Sequence, residues 1–317
     1  MTQPQIQGPP VPDDESLAYE IAAVALVTAE IAALVASVIA AALAAWEVAG
    51  GLADLGRALA AQLRGLRWTP TGPALERVAR EARALGIRQA LQLLPPNERP
   101  KSVDPAALPD LPDLDRKVRE ALDEAARLAD TLPMRQKRDV LAVAGRASRG
   151  VSDAKAATRW TANEGINAGT ADVARAAGLR LIWVAERNAC LHCLAHAGWV
   201  VEPGDSFPPG LSFDPVRPDH APGVPWPPLH PNCRCRVRTF SGPAGPPSRD
   251  RSRVDPAARL AGEARRSVVY QWTDYASERR RALAAQALLR AGADLPKTVE
   301  ERARRALQRG GTVRRPK

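Results

Sequence analysis

Apolar residues recur every three to four positions over most of the first 180 residues, which is the spacing of helices packed against a core. Glycines and prolines separate these periodic stretches from one another. The pattern predicts helices over residues 16–49, 52–66, 73–94, 113–132, 135–147 and 152–177, and two further helices over 255–290 and 298–309. We therefore expect a mainly helical protein.

The clearest of these helices follows Asp113, whose side chain can cap the helix start. Its apolar residues fall at helical spacing: Val118, Leu122, Ala125 and Leu128. Two breaks are expected in other helical stretches. One is at Gly86, and the other precedes a new helix that Ser152 or Asp153 would cap. Gly178 suits the left-handed conformation that ends that last helix.

Apolar or alternating residues predict three short strands, at residues 179–185, 199–201 and 235–240. The helix before the first strand carries one apolar stripe, formed by Trp160, Ile166 and Val173. Asn163 and Asn167 lie one turn apart on that helix, which suggests a polar contact, and surface amides are the commoner explanation of such a pair. The predicted fold class is α+β and mainly α-helical, with a small β-containing module in the centre and helical N- and C-terminal regions.

Composition divides the chain into four parts. They are a disordered arm over residues 1–14, an N-terminal helical region over 15–150, a central module over 151–240 and a basic helical tail over 241–317. The proline-rich segment 95–112 is expected to be a linker.

The net charge of +10 belongs to the tail, because residues 241–317 hold 18 basic and 8 acidic side chains. The first 240 residues hold 27 of each sign and are therefore neutral. This distribution indicates an anionic partner for the tail, such as DNA, RNA or an acidic protein surface. A solvated basic helix remains the alternative.

The alanine-rich N-terminal helix contains an uncharged stretch of 16 residues, 31–46. A membrane span needs about 20 strongly apolar residues, and alanine gains little free energy on transfer into lipid. We therefore expect a packed helix, or one held for a partner, with membrane insertion as the alternative. No positive charge precedes the helix, so we expect no secretory signal and a reducing cytosol.

Every cysteine and every histidine lies between residues 190 and 235. The cysteines are Cys190, Cys193, Cys233 and Cys235, and the histidines are His192, His196, His220 and His230. Thiolates and imidazoles suit Zn²⁺ in a tetrahedral shell. The sequence therefore predicts one structural Zn²⁺ per chain, with two disulfides or free thiols as the alternatives.

Four of five candidate ligands would fill that shell. The preferred quartet is Cys190, Cys193, His230 and Cys233, and Cys235 can replace His230 or Cys233. The other histidines are interpreted as solvated or hydrogen-bonded, although His196 could reach the metal if a helical turn follows Cys193.

The sequence contains no serine-centred elbow, phosphate-binding loop or dinucleotide fingerprint, so we predict no catalytic residues. A zinc hydrolase is disfavoured because the Cys/His shell has no nearby glutamate as general base. The enzymatic rival is a metal-dependent nuclease of the His-Asn-His kind, using Asp219 and His220. Prolines surround His220, and the strand–turn–helix frame of such a site is not evident.

The central module resembles the phage Mu F-like minor head proteins, also called head morphogenesis or minor capsid proteins. The resemblance covers about residues 155–240 and depends most on Pro-Pro-Leu-His-Pro-Asn-Cys-Arg-Cys at 227–235, with support from 181–186, 189–195 and Gly198.

This resemblance implies a virion protein made in the host bacterial cytoplasm and placed inside the head near the portal. Its implied partners are portal and capsid proteins, with roles in head assembly and DNA delivery. Packaged double-stranded DNA would be the partner of the basic tail, and no membrane is expected. The alternative is a zinc-containing nucleic-acid-binding protein or nuclease outside any virion.

Overall fold

A computed structural model describes residues 14–49, 53–107, 110–185, 191–210, 223–230, 233–242, 244–245 and 304. Most of the tail and of the first 14 residues lies outside this description, as do the predicted helix over 255–290 and all of the predicted helix over 298–309 except residue 304. The helices are α1 (Asp14–Ala49), α2 (Ala53–Gly65), α3 (Gly72–Leu93), α4 (Leu114–Thr131), α5 (Lys137–Ala177) and α6 (Leu191–His196). The strands are β1 (Arg180–Val184), β2 (Val200–Val201) and β3 (Arg236–Phe240). The prediction of a mainly helical protein with a small sheet is confirmed.

Helix α4 begins and ends where its sequence predicts. The Asp113 side chain accepts a hydrogen bond from the Arg116 backbone N–H at 2.9 Å, which satisfies one of the unpaired donors of the first turn. Its buried face includes Val118, Leu122 and Ala125. Gly178 has a φ of 65° directly after α5, as expected for a left-handed helix end.

The expected break near residue 150 is wrong, because α5 runs without interruption from Lys137 to Ala177. The Ser152 hydroxyl donates to the Ser148 carbonyl one turn earlier, at 3.0 Å, and caps nothing. Gly150 lies where a Cβ would be only 2.8 Å from the Cβ of Ala121 on α4. The glycine therefore allows close helix packing and does not end a helix.

The expected break at Gly86 is wrong for the same reason. Helix α3 passes through this glycine, and a Cβ there would lie 2.0 Å from the carbonyl oxygen of Ile166 on α5. Gly169 on α5 approaches α3 equally closely, since its Cβ would lie 2.2 Å from the Arg83 carbonyl oxygen. The two glycines together permit a backbone-to-backbone crossing of α3 and α5.

The chain forms two compact units. The sheet unit is drawn from residues 1–17, 82–106 and 163–317, and the helical unit from residues 18–81 and 107–162. The core of the helical unit includes Ile31, Leu59, Leu63, Val118, Leu122 and Val143. The sheet unit has one cluster around Ala90, Leu94 and Val173 and another around Ile182, Val184 and Val200.

The three strands form an antiparallel sheet in the order β2-β1-β3. All three were predicted, with slightly longer bounds. Trp183, at the middle of the central strand, is fully buried and pairs with Val237 of β3. The sheet therefore brings the segment before β3 next to the segment that follows β1.

Within the described part of the chain, one helix is long and apolar enough to cross a membrane, Glu15–Glu47 with a mean hydropathy of 2.3. This observation rests on length and composition only. Ile31, Val35 and Ala42 of the same helix are buried in the core of the helical unit. The expected packed helix is therefore observed over those residues.

Candidate metal centre

Two separate segments supply the donor atoms of the candidate site. Cys193 lies in the short helix α6, between β1 and β2, and is buried. His230 and Cys233 come before β3 and are joined by a turn in which the Cys233 N–H donates to the His230 carbonyl at 3.0 Å. Because β1 pairs with both β2 and β3, the sheet unit holds these two segments in one place.

The three side chains form a cluster of the size that one metal ion requires. The Cys193 sulfur lies 3.2 Å from His230 Nε2 and 3.5 Å from the Cys233 sulfur. All three donor atoms lie within 4.8 Å of one another. Tetrahedral Zn²⁺ holds thiolate sulfurs at about 2.3 Å, which places two such ligands about 3.8 Å apart. The donor set and its spacing therefore fit a zinc ion.

Electrostatics favours the thiolate form of Cys233. Side-chain hydrogen bonds from Cys193 and Cys235 hold the pKa of Cys233 well below its usual range, with smaller help from backbone hydrogen bonds at Leu229 and Cys235. Burial acts in the opposite direction by disfavouring the charged sulfur. A thiolate is the form of cysteine that binds metal.

The other two predicted ligands are Cys235 and Cys190. Cys235 is buried, and its side chain contacts that of Cys233. It is not a member of the three-residue cluster, so its role as a ligand stays a prediction. Cys190 lies outside the described residues, and its role also stays a prediction. None of the three described cysteines forms a disulfide.

Asn163 and Asn167 are not surface amides, so that explanation is wrong, and the polar contact that their spacing suggested is the one observed. Both side chains are buried, with at most 1% of their surface exposed. The Asn163 amide donates to the Cys233 carbonyl, and the Asn167 amide donates to the Cys235 carbonyl at 3.2 Å. The Asn167 carbonyl oxygen accepts the Val237 N–H at 2.8 Å. Their spacing of four residues was visible in the sequence, but their contact with residues 233–237 was not.

His196 is buried and hydrogen-bonded, as one of the sequence interpretations proposed. Its Nδ1 lies 2.9 Å from the His192 carbonyl and its Nε2 lies 3.2 Å from the Pro208 carbonyl. The ring stacks on Trp183 with a centroid distance of 4.8 Å. Burial lowers the pKa of His196, although its hydrogen bonds to the two carbonyls oppose this effect. His196 does not belong to the cluster of possible metal ligands.

The residues of the nuclease alternative, Asp219 and His220, lie outside the described part of the chain.

Comparisons with protein-family models, with curated proteins and with solved structures found no match. The likeness to Mu F-like minor head proteins therefore depends on the motif residues alone.

Proposed function

We propose that this chain carries one structural Zn²⁺ ion, held by Cys193, His230 and Cys233. The observation that carries the proposal is the convergence of these three donor atoms from segments almost 40 residues apart. The fourth ligand is Cys190 or Cys235, which would close the shell. When bound, the ion would cross-link α6 to the start of β3.

A structural role agrees with the composition of the cluster. Its members are two cysteines and one histidine, and among the described residues no carboxylate belongs to it. A hydrolytic zinc site needs an open coordination position and a general base. Structural zinc can contribute about 10 kcal/mol to the folding of a small module. The segment between residues 203 and 231 is rich in proline and poor in strand-forming residues, so a cross-link at its base would offset its small core.

Metal analysis tests this centre directly. Full-length protein purified under reducing conditions should contain about one zinc per chain. Cys193→Ser and Cys233→Ser should each lose the metal, because each removes a thiolate from the cluster. Chelation should accelerate amide exchange over residues 191–240 before it affects α4.

His192→Ala is the matched control, because His192 adjoins Cys193 and does not belong to the cluster. This variant should retain its zinc. Metal-free wild-type protein, or Cys193→Ser protein with a full zinc content, would contradict the proposed centre.

We further propose that the chain is a minor capsid protein of a tailed phage, acting in head assembly next to the portal. This role is supported by the motif at residues 227–235 and by the zinc-compatible cluster, to which the motif contributes His230 and Cys233. Mass spectrometry of purified virions should find the protein in heads at low copy number. Its absence from virions would contradict the role, and so would a metal-dependent nuclease activity that His220→Ala abolishes.

A further inference from the structure

The outer edge of β3 is paired by two side chains of α5. Because β3 is an edge strand, only one of its sides is bonded to β1. The other side carries the Val237 N–H, and the residues just before the strand add the Cys233 and Cys235 carbonyls. Asn163 donates to the Cys233 carbonyl, and Asn167 bonds to the other two groups.

The two amides also bind each other. The Asn167 nitrogen lies 2.9 Å from the side-chain oxygen of Asn163 and 2.9 Å from its backbone carbonyl. A buried amide is costly unless its donors and acceptors are satisfied, and these contacts satisfy both. The pair therefore has one defined arrangement against the backbone of residues 233–237.

We propose that Asn163 and Asn167 are positioning residues that set the affinity of the metal centre from α5. They touch no donor atom of the cluster, but they fix the carbonyl of Cys233 and the carbonyl of Cys235. Fixing this backbone holds the Cys233 sulfur opposite Cys193 and His230 before any ion binds. The inference rests on the proposed zinc centre, which it deepens.

The test measures zinc affinity in the full-length chain by competition with a chelator. Asn163→Ala and Asn167→Ala should each bind zinc roughly 10- to 100-fold more weakly, the range typical of residues that orient metal ligands. Thr170→Val is the matched control on the same helix, because among the described residues its buried hydroxyl bonds only the Ile166 carbonyl of its own helix, at 3.2 Å. It should leave zinc affinity unchanged.

Cobalt spectra separate positioning from a loss of ligands. The Co²⁺ form of Asn163→Ala and Asn167→Ala should keep the thiolate-to-metal absorption of the wild type, because no ligand has been removed. Cys233→Ser should reduce that absorption. A merely structural role would lower stability equally with zinc and with chelator, whereas positioning lowers it more with zinc.

A wild-type measurement avoids variants that fail to fold. Coupling is reciprocal, so removing zinc should loosen the bond between Asn167 and the Val237 N–H. Exchange of the Val237 amide should then accelerate more than exchange of the Trp183 amide, which donates to Trp199 within the sheet unit at 2.9 Å.

The outcomes are distinguishable. A wild-type protein that binds zinc, with asparagine variants of equal affinity and an unchanged Val237 amide, would overturn this inference and leave the zinc centre standing. A wild-type protein that binds no zinc would overturn the centre itself, and the inference with it.

Discussion

Gly169→Ala should destabilise the sheet unit, although alanine is normally the better residue inside a helix. In an open helical position the change from glycine to alanine gains about 1 kcal/mol. At position 169 the new Cβ would lie 2.2 Å from the Arg83 carbonyl oxygen and 2.8 Å from the Ile87 nitrogen. Both are backbone atoms of α3, so no side-chain rotation relieves the clash.

The magnitude follows from how far the helices must separate. Carbon and oxygen atoms in contact lie about 3.3 Å apart, so α3 and α5 would move by about 1 Å. A gap of that size removes up to about half of the dispersion energy of each separated atom pair. Overpacking commonly reduces folding stability by about 1–3 kcal/mol. We expect a net destabilisation of about 2 kcal/mol.

Gly145→Ala is the control on the same helix, because among the described residues nothing beyond its own stretch of helix backbone lies within 4 Å of its Cβ position. It should stabilise the protein by up to about 1 kcal/mol. Gly86→Ala, on the other side of the crossing, should resemble Gly169→Ala. The double variant should cost less than the two single costs added, because one separation relieves both clashes.

Amide exchange over residues 82–93 and 163–177 measures the opening free energy of the crossing, and denaturant unfolding gives the overall effect. A Gly169→Ala protein as stable as the wild type would refute the reasoning. So would equal effects of the substitutions at positions 169 and 145.

Three further predictions concern charge. Arg83→Met should cost about 1.5–3 kcal/mol in denaturant unfolding, because buried Asp172 loses its partner at 2.6 Å and keeps Arg175 at 3.2 Å; an unchanged midpoint would contradict this. The lowered pKa of His196 means that the unfolded chain binds more protons below its ordinary pKa of 6.5, so stability should fall as pH drops through that value. His196→Phe should make stability depend less on pH in this range. Identical stability profiles of the variant and the wild type against pH would contradict the prediction. Finally, deleting residues 241–317 should remove most DNA affinity. For the wild type, the logarithm of the DNA-binding constant should fall against the logarithm of the salt concentration with a slope of about −4 to −5 if about five phosphates are neutralised. A slope near zero would point to a protein partner.

The sequence pattern within a single segment was sufficient to predict the helices and strands that bury one face. Helix α4 was predicted with its cap because Asp113 and the apolar positions from Val118 onward depend only on their own segment. The three strands were predicted from residue type for the same reason. The three described members of the metal quartet were predicted together, because cysteine and histidine are concentrated in one stretch.

Glycine misled the prediction where its role depended on a distant segment. Gly86 was interpreted as a helix break, because glycine is a poor helix former, and a second break was expected before a helix capped by Ser152 or Asp153. Gly86 and Gly150 instead each face another helix at a distance that no Cβ could occupy. The local sequence does not contain the identity of the facing helix, so this distinction requires the tertiary structure.

The two asparagines show why the contacts of the C-terminal third of α5 could not be predicted from its sequence. From Gly165 to Ala174 every residue is buried, so this part of the helix has no polar face for a periodic pattern to reveal. Its polar side chains are bonded in different directions, with Asp172 paired to Arg83 and Asn167 to the strand edge. Leaving such a buried group unpaired costs about 1–3 kcal/mol, so a shift of α5 by one turn would forfeit several bonds at once. The same polar residues that look like a solvated surface in the sequence therefore fix the register of the helix against β3 and the segment before it, which carries Cys233.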